Sequence, residues 1–156
     1  MTPAVNFLKK RKIGYVLHRY KHNPDHPSYG LEAAEKLNLD PSRVFKTLVV
    51  QIDRGELVVA VVPVNRQLNL KALGRFLKVK KLALADAKAV ESTTGYVLGG
   101  VSPLAQRKRL RTVVDESAAG WPTILVSGGR RGLEIELAPA DLIALCGAHT
   151  ASIGAN

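Results

Sequence analysis

The chain has 156 residues, about the length of one domain, of which 46% are hydrophobic and 23% charged, which excludes a disordered protein. Its 23 Lys and Arg residues against 13 Asp and Glu residues give a net charge of +10, which predicts a polyanionic partner, nucleic acid or an anionic membrane. The single cysteine, Cys146, excludes an intramolecular disulfide framework, and no apolar run approaches the about 20 residues of a membrane span. No apolar core of a signal peptide follows the basic residues 9–12, so we expect a cytoplasmic protein.

Capping side chains, prolines and hydrophobic periodicity predict the elements of a single α+β domain over residues 1–156. Thr2 followed by Pro3 begins a helix, because the hydroxyl can cap the first turn and proline is favoured there. Pro24 and Pro27 predict an irregular loop. In the first half of the chain the predicted elements are a helix from Thr2 to Gly14, a strand from Tyr15 to Tyr20, a loop from Lys21 to Ser28, a helix from Glu32 to Leu37, a turn at Asp40 to Ser42, and a hairpin of Thr47 to Ile52 with Leu57 to Val62.

The second half continues with short elements of both kinds. From Leu133 to Leu137, apolar residues alternate with Glu134 and Glu136, which predicts a strand with one exposed face. In chain order we predict a helix capped by Asn69 with Leu70, Leu73, Phe76 and Leu77 on one face, a strand Leu82 to Leu84, a helix from Asp86 to about Ser92, strands Thr112 to Asp115, Thr123 to Ser127 and Leu133 to Leu137, and a helix containing Asp141 to Leu145.

The order of these elements indicates the fold class. Most strands follow one another through short turns and do not alternate regularly with helices. This order predicts an α+β fold with a mixed, largely antiparallel, curved and barrel-like β-sheet and helices around it. It argues against a doubly wound nucleotide-binding fold.

Positive charge is concentrated in three segments. No Asp or Glu lies between Leu57 and Ala85, where six basic residues fall. The basic residues of the three segments are Arg66, Lys71, Arg75, Lys78, Lys80 and Lys81, then Arg107, Lys108, Arg109 and Arg111, and finally Arg130 and Arg131. For any single one of these basic residues, a solvated side chain that aids solubility is as good an interpretation as phosphate binding. Taken together, the clusters favour phosphate binding. An aromatic content of 5% favours contact with shape and backbone over stacking on single-stranded bases.

Two glycine-rich turns follow strand-like segments, at Gly95 to Pro103 and at Val126 to Gly132. Paired glycines let the backbone approach a ligand closely and direct N–H groups at an oxyanion or phosphate, although a tight turn alone also explains them. Neither turn has the spacing of a phosphate-binding loop or of a dinucleotide-binding motif. We therefore expect no nucleoside triphosphate or nicotinamide cofactor.

Conventional nucleophile and metal chemistry has little support. Ser127 has no legible histidine and carboxylate partners, and the apolar surroundings of Cys146 indicate a structural thiol. Lys46, at the start of an apolar strand, is either a surface residue or a fixed cation in a pocket. The remaining candidates are three histidines with helical spacing, which intervening prolines make a poor metal site: His18, His22 and His26.

Four segments, in this order, resemble the YbaK/EbsC family, whose members are free-standing relatives of the editing domain of bacterial prolyl-tRNA synthetase. They are Thr2 to Val5, Phe45 to Leu48, Gly95 to Pro103 and Ser127 to Leu137. The resemblance implies an aminoacyl-tRNA deacylase that hydrolyses mischarged Cys-tRNA(Pro), a product of the limited discrimination between small side chains. A deacylase for Ala-tRNA(Pro) or a broader range of esters, and a non-catalytic tRNA-binding module, are the alternatives.

The resemblance also implies roles for individual residues. Lys46 would hold the acceptor-end phosphate or ribose, and Gly100 and neighbouring N–H groups would line the ester carbonyl. Glu134 stands where the family often has Asp. The residues implied to bind the substrate are Tyr20, Phe45, Thr47, Ser102, Ser127, Gly129 and Glu134. The charge clusters beside the glycine-rich turns predict that tRNA is bound by Arg107, Lys108, Arg109, Arg130 and Arg131.

The implied chemistry needs no nucleophile from the protein, because the thiol of a cysteinyl ester can attack its own carbonyl. Direct attack by water is the other route. The resemblance implies tRNA as substrate and prolyl-tRNA synthetase as a partner that supplies tRNA specificity, with no cofactor, no metal and no membrane.

Overall fold

The computed structural model describes every residue from Met1 to Asn156. Four helices begin where a side chain accepts a hydrogen bond from a first-turn N–H, at Thr2, Ser28, Asn69 and Asp86. The five α-helices are α1 (Pro3–Arg11), α2 (Tyr29–Lys36), α3 (Leu70–Leu77), α4 (Ala87–Thr94) and α5 (Pro139–Cys146). None of them has the length and apolar composition needed to cross a membrane.

The ten strands form three sheets. They are β1 (Val16–Arg19), β2 (Phe45–Ile52), β3 (Leu57–Pro63), β4 (Gln67–Leu68), β5 (Leu82–Leu84), β6 (Arg111–Asp115), β7 (Ile124–Ser127), β8 (Leu133–Leu137), β9 (His149–Ala151) and β10 (Gly154–Ala155). The sheet orders are β5-β2-β3-β6-β9, β1-β8-β7 and β10-β4. Five of the seven strand pairs are antiparallel, so the predicted α+β class with a mixed, largely antiparallel arrangement is confirmed.

The barrel-like form expected of the sheet is not confirmed, because none of the three sheets closes on itself. A single parallel bridge between Val44 and Leu125 links the beginning of β2 to β7. With only this one bridge between them, the two larger sheets remain separate and keep free edge strands.

The main core lies between the two larger sheets and α1. Strand β3 contributes to both sides of its sheet, with Val59 and Val61 in the main core and Val58 and Ala60 in a second core against α3. Because both faces are covered, β3 is an uninterrupted apolar run. The main core also takes buried residues from α1, β7 and β8, namely Ala4, Val5, Leu8, Ile124, Val126, Leu133, Ile135 and Leu137.

Two helix ends differ from the sequence prediction. Helix α1 ends at Arg11 rather than at Gly14, because Lys12 adopts a left-handed conformation (φ 56°) and its N–H bonds back to the carbonyls of Leu8 and Lys9. Helix α2 begins at Tyr29 rather than at Glu32, because the Ser28 hydroxyl caps it by accepting from the N–H of Leu31.

The exposed face predicted for β8 is wrong. Glu134 is only 7% exposed, and Glu136 is bonded to Arg43 and Thr123, because β8 is the middle strand of its sheet. Phe76 also departs from its predicted buried face and is 42% exposed beside His149. The strands of two or three residues at β4, β9 and β10 were not predicted, since so few residues show no periodicity.

Candidate functional site

A cavity of about 390 Å³ opens between the beginning of β2, the N-terminus of α2 and the loop that follows α4. Its size falls in the range of small-ligand sites. The cavity brings together six of the residues that the sequence singled out for the site: Tyr20, Phe45, Lys46, Thr47, Ser127 and Glu134. Their roles in binding and catalysis stay predictions.

Lys46 is the only lysine or arginine that lines this cavity. It is the second residue of β2 and lies opposite Val62 in the hairpin, so the strand fixes its backbone. Its ammonium group forms none of the six ion pairs of the structure, and burial lowers the pKa of Lys46. The adjacent Thr47 hydroxyl is buried without a hydrogen-bond partner. The cavity therefore holds an unpaired cation and, next to it in the strand, a buried hydroxyl that lacks a partner.

Glu134 places a buried carboxyl group in the same cavity. It has no cationic partner, and burial raises the pKa of Glu134 to about 8. The pKa of the neighbouring Tyr20 hydroxyl is raised to about 12 by burial and then by the negative charge of Glu134. At neutral pH both groups are protonated, so both can donate a hydrogen bond into the cavity.

The two glycine-rich turns pack directly against each other. A Cβ on Gly100 would lie 2.7 Å from the Cα of Arg130, a distance that only glycine permits. Gly99 and Val101 line the cavity, whereas Gly100 does not. The Gly100 N–H donates to the carbonyl of Val97 at 2.9 Å, so it is already occupied within the turn. The N–H groups of Gly99 and Val101 form no hydrogen bond in the structure, and both of these residues line the cavity.

Two residues predicted to contact the substrate lie outside the cavity lining. Ser102 is fully buried and its hydroxyl accepts from the Leu104 N–H at 3.2 Å, which stabilises the loop. Gly129 packs against Tyr96 and Thr2, and its N–H donates to the Ser127 hydroxyl at 3.1 Å. Both residues support the walls of the site from behind.

The arginines and lysines predicted to bind tRNA divide into two groups. Arg107, Lys108, Arg109 and Arg130 are exposed, and the Arg107 and Lys108 backbones are bonded to the end of α4. Arg131 is instead held within the protein: it donates to the carbonyl of Asn23 at 2.9 Å and lies 3.6 Å from the buried carboxylate of Glu32. Arg131 is therefore less available to a phosphate than the other four.

Cys146 lies in a separate, smaller cavity of about 150 Å³. Its Sγ donates to the carbonyl oxygen of Pro103 at 3.3 Å, and burial raises the pKa of the Cys146 thiol to about 11. Of the three histidines with helical spacing, His18 contacts Glu136 and His26 contacts Glu35. No group of three or more potential ligands is arranged to hold a metal ion.

Sequence reasoning missed the part of the cavity wall that α2 and its cap supply. Ser28, Tyr29 and Gly30 line the cavity, as does Leu98 from the glycine-rich turn. Ser28 was assigned to the preceding loop. Its hydroxyl, placed just before an amphipathic segment, is the signal that would have moved the start of the helix to Tyr29.

Comparison with known proteins identifies the family. The model of the aminoacyl-tRNA editing domain matches residues 26–145, which include every residue lining the cavity except Tyr20. The chain belongs to the aminoacyl-tRNA editing domain family. The family predicted from the sequence is thereby confirmed.

Individual relatives agree with this assignment. EbsC of Enterococcus faecalis, a candidate Cys-tRNA(Pro)/Cys-tRNA(Cys) deacylase by its name, is 37% identical over 97% of this chain and 92% of its own length. The proline–tRNA ligase of Syntrophotalea carbinolica is 34% identical over 57% of this chain, which is matched to only 15% of that ligase. The chain thus matches EbsC over nearly the full length of both proteins. In the ligase it matches only one segment of a much longer enzyme.

Solved structures confirm the fold. A protein described as hypothetical superimposes with a TM-score of 0.86 at 28% identity, over 99% of this chain and 100% of that one. A candidate trans-editing enzyme for prolyl-tRNA synthetase superimposes with a TM-score of 0.83 at 24% identity, over 99% of this chain and 96% of that one. At that identity the second likeness concerns the fold alone.

Proposed function

We propose that this protein is a trans-acting editing enzyme that hydrolyses the ester of Cys-tRNA(Pro). The observation that carries the proposal is the single cavity that is lined both by Lys46, which has no acidic partner, and by the buried carboxyl of Glu134. The name of the relative that is 37% identical supports cysteine as the amino acid.

In the proposed complex the cavity takes the aminoacyl group, and Lys46 binds the ribose or the terminal phosphate. The free N–H groups of Gly99 and Val101 replace the occupied Gly100 N–H as donors to the ester carbonyl oxygen. Fixed donors of this kind stabilise the oxyanion that forms as the ester is attacked.

The cavity lining contains no cysteine or histidine, so an external nucleophile fits the site better than a protein nucleophile. In the proposed reaction the substrate sulfur attacks its own carbonyl carbon, a carbon–sulfur bond forms, and the bond to the ribose oxygen breaks. The thiol proton ends on that oxygen, and water then opens the thiolactone to free cysteine. Attack by water on the ester is the alternative route.

Deacylation of Cys-tRNA(Pro) by the wild type and by Lys46→Ala tests the proposal. We expect the variant to lose about a hundredfold or more in kcat/KM, as when a preorganised electrostatic group is removed from other sites. Lys10→Ala is the control, because Lys10 is exposed on α1 and outside the cavity. Wild-type activity no higher than the uncatalysed rate, or full activity of Lys46→Ala, contradicts the proposal.

The same assay with Ala-tRNA(Pro) separates the two substrates. Alanine has no thiol, so we expect the cysteinyl ester to react much faster if the substrate sulfur assists. Equal rates would favour attack by water and a broader deacylase. Salt-sensitive tRNA binding without cleavage of either ester would identify a non-catalytic tRNA-binding module.

Specificity for tRNA(Pro) would come from prolyl-tRNA synthetase, since a chain of this length has little surface with which to inspect a whole tRNA. The exposed Arg107, Lys108, Arg109 and Arg130 would hold the acceptor stem. Co-purification of the two proteins with and without tRNA at physiological salt tests the partnership, and failure in both conditions contradicts it. Both partners would place the protein in the cytoplasm.

A further inference from the structure

The mouth of the cavity is unusually apolar for an exposed region. Three side chains that line the cavity remain largely exposed: Tyr29 at 42%, Leu84 at 60% and Leu98 at 50%. Val97, next to Leu98, is 70% exposed. We call these four residues the apolar rim. Exposed large apolar side chains grouped around a cavity indicate a surface that a ligand covers.

Tyr29 is held in one orientation within the rim. The guanidinium carbon of Arg131 lies 3.7 Å from the centre of its ring. Arg131 is itself fixed by Glu32 and by the carbonyl of Asn23. The edge of the ring lies against Gly99, where a Cβ would come within 2.7 Å of it. Arg131 covers one face of the Tyr29 ring and Gly99 lies against one edge, so with 42% of the residue exposed the opposite face is the one that a base can reach.

A ring fixed in this way is a ready stacking platform. Stacking of a base on a free aromatic side chain costs the entropy of ordering that side chain, and here the protein has already ordered it. One positioned ring is enough to stack on one base, even in a chain with only 5% aromatic residues.

The covalent structure of the substrate decides which base reaches the rim. In an aminoacyl-tRNA the ester joins the amino acid directly to the ribose of the terminal adenosine. If the aminoacyl group occupies the cavity, the adenine is one ribose away, at the mouth. Arg130 is exposed and its backbone touches the same glycine-rich turn at Gly100, so a cation is available for the adjoining phosphate.

We propose that the exposed face of Tyr29 stacks on the terminal adenine of the tRNA, with Leu84 and Leu98 bordering the base. This subsite rests on the proposed function, because the ester in the cavity brings the adenine to the rim. A nucleotide suits the rim better than an apolar protein surface does, since the rim comprises only four side chains and the exposed Arg130 adjoins the same turn.

A binding experiment with an uncleavable ligand tests the subsite. The probes are two acceptor-stem hairpins that carry cysteine in a 3′-amide linkage, one with the terminal adenine and one with an abasic ribose in its place. We expect loss of the base to weaken binding to the wild type about tenfold, a typical value for one stacked base. With Tyr29→Ala we expect less than about a twofold effect of the base, because its platform is gone.

Three further variants make the test specific. Tyr29→Phe keeps the ring and should behave as the wild type. Phe76→Ala removes an aromatic side chain of the same 42% exposure that does not line the cavity, so the base effect should stay about tenfold. Leu98→Ser should reduce the base effect, and it tests the rim independently should Tyr29→Ala fail to fold.

A base effect that is equally large in Tyr29→Ala overturns the proposal. So does the absence of a base effect in the wild type, which would point to a protein surface as the occupant of the rim. Because the amide is not cleaved, the result is independent of catalysis. A base effect without hydrolysis of Cys-tRNA(Pro) would contradict the proposed function alone, and hydrolysis without a base effect would contradict the stacking alone.

Discussion

Lys46 and Glu134 share one cavity, and burial acts on both in the direction that removes charge. It lowers the pKa of Lys46 and raises that of Glu134 to about 8. The two side chains do not form an ion pair with each other or with a third group. A ligand that carries both a negative group and hydrogen-bond acceptors would therefore satisfy both residues at once.

Replacement of Glu134 by glutamine should change how stability depends on pH. The pKa of Glu134 in the folded protein, about 8, exceeds its ordinary value of 4.5. The stability that this group contributes is therefore fully present below about 4.5 and is lost as the pH rises through about 8. Glu134→Gln removes this loss, so its free energy of unfolding should rise relative to the wild type between these pH values. At about 1.4 kcal/mol per pKa unit, the difference at pH 8 is of the order of 4 kcal/mol.

Urea unfolding of both proteins at a series of pH values measures this difference. Glu116→Gln is the control, because Glu116 is exposed and should show no such trend. A constant difference between Glu134→Gln and the wild type from pH 4 to pH 9 would show that burial does not perturb this carboxyl.

At the scale of single residues, the sequence indicated six residues of the cavity lining, the aromatic Tyr20 and Phe45 among them, but not Tyr29. Lys46 was singled out by its place at the start of an apolar strand and by the family resemblance, whereas Glu134 was singled out by the resemblance alone, since its strand pattern predicted an exposed residue. Tyr29 was not named, because its significance depends on Arg131, which is remote in sequence and meets it only in the folded chain. The N–H of Gly100, the predicted donor, bonds to the carbonyl of Val97 in the folded protein.

At the scale of elements, the contact between the two glycine-rich turns determines the shape of the site. One turn carries Gly99 and Val101 into the cavity lining, and the other contains Ser127, which also lines it. Their backbones touch at Gly100 and Arg130. The two turns can therefore approach this closely only because Gly100 has no side chain.

Gly100→Ala should push the two turns apart. Its methyl group would lie 2.7 Å from the Cα of Arg130 and 3.0 Å from the backbone N of Arg131, and no flexible side chain can yield. We expect a loss of stability of about 1–3 kcal/mol, as for other overpacked sites, and a fall in kcat/KM. Thermal unfolding and the deacylation assay measure the two effects.

Gly120→Ala is the matched control, because nothing lies within 4 Å of the Cβ that it would add. It should leave activity unchanged and stability the same or slightly higher. Equal effects of the two substitutions would mean that the turns adjust easily to a Cβ between them.

Elements formed by contacts between residues close in the sequence were predicted, whereas pairings between strands distant in the sequence were not. Asn69 and Asp86 cap the helices that were predicted to follow them, because a cap is a contact within four residues. The β2–β3 hairpin was also predicted, since a short turn joins its strands. The pairing of β1 with β8 joins distant parts of the chain, and no local pattern specifies it.

At the scale of the whole molecule, Asp115 attaches the end of the chain to the larger sheet. Its Oδ1 accepts from the N–H groups of Ile153 and Gly154 at 3.0 and 2.9 Å. Burial opposes ionisation, but bonds from Ser117, Ile153 and Gly154 outweigh it and hold the pKa of Asp115 below its ordinary value. The single-domain organisation expected over residues 1–156 stays a prediction.

Asp115→Ala should release the C-terminal segment. Ile153 is fully buried, so the loss leaves its N–H without an acceptor, at a cost of about 1–3 kcal/mol. Hydrogen exchange at the amides of Ile153 and Gly154 should become faster than in the wild type. Asp53→Ala, at an exposed turn, is the control. Unchanged exchange at these two amides would contradict the attachment.

The low reactivity of the Cys146 thiol matters for an enzyme proposed to hydrolyse the ester of a thiol-bearing amino acid. A reactive protein thiolate could capture the acyl group by thioester exchange and leave the enzyme acylated. Cys146 lies in a cavity that shares no lining residue with the cavity of Lys46 and Glu134, and burial raises the pKa of its thiol to about 11. At neutral pH almost none of it is thiolate, the form that attacks an acyl carbon. The protein can thus expose its site to sulfur chemistry without becoming a competing acceptor.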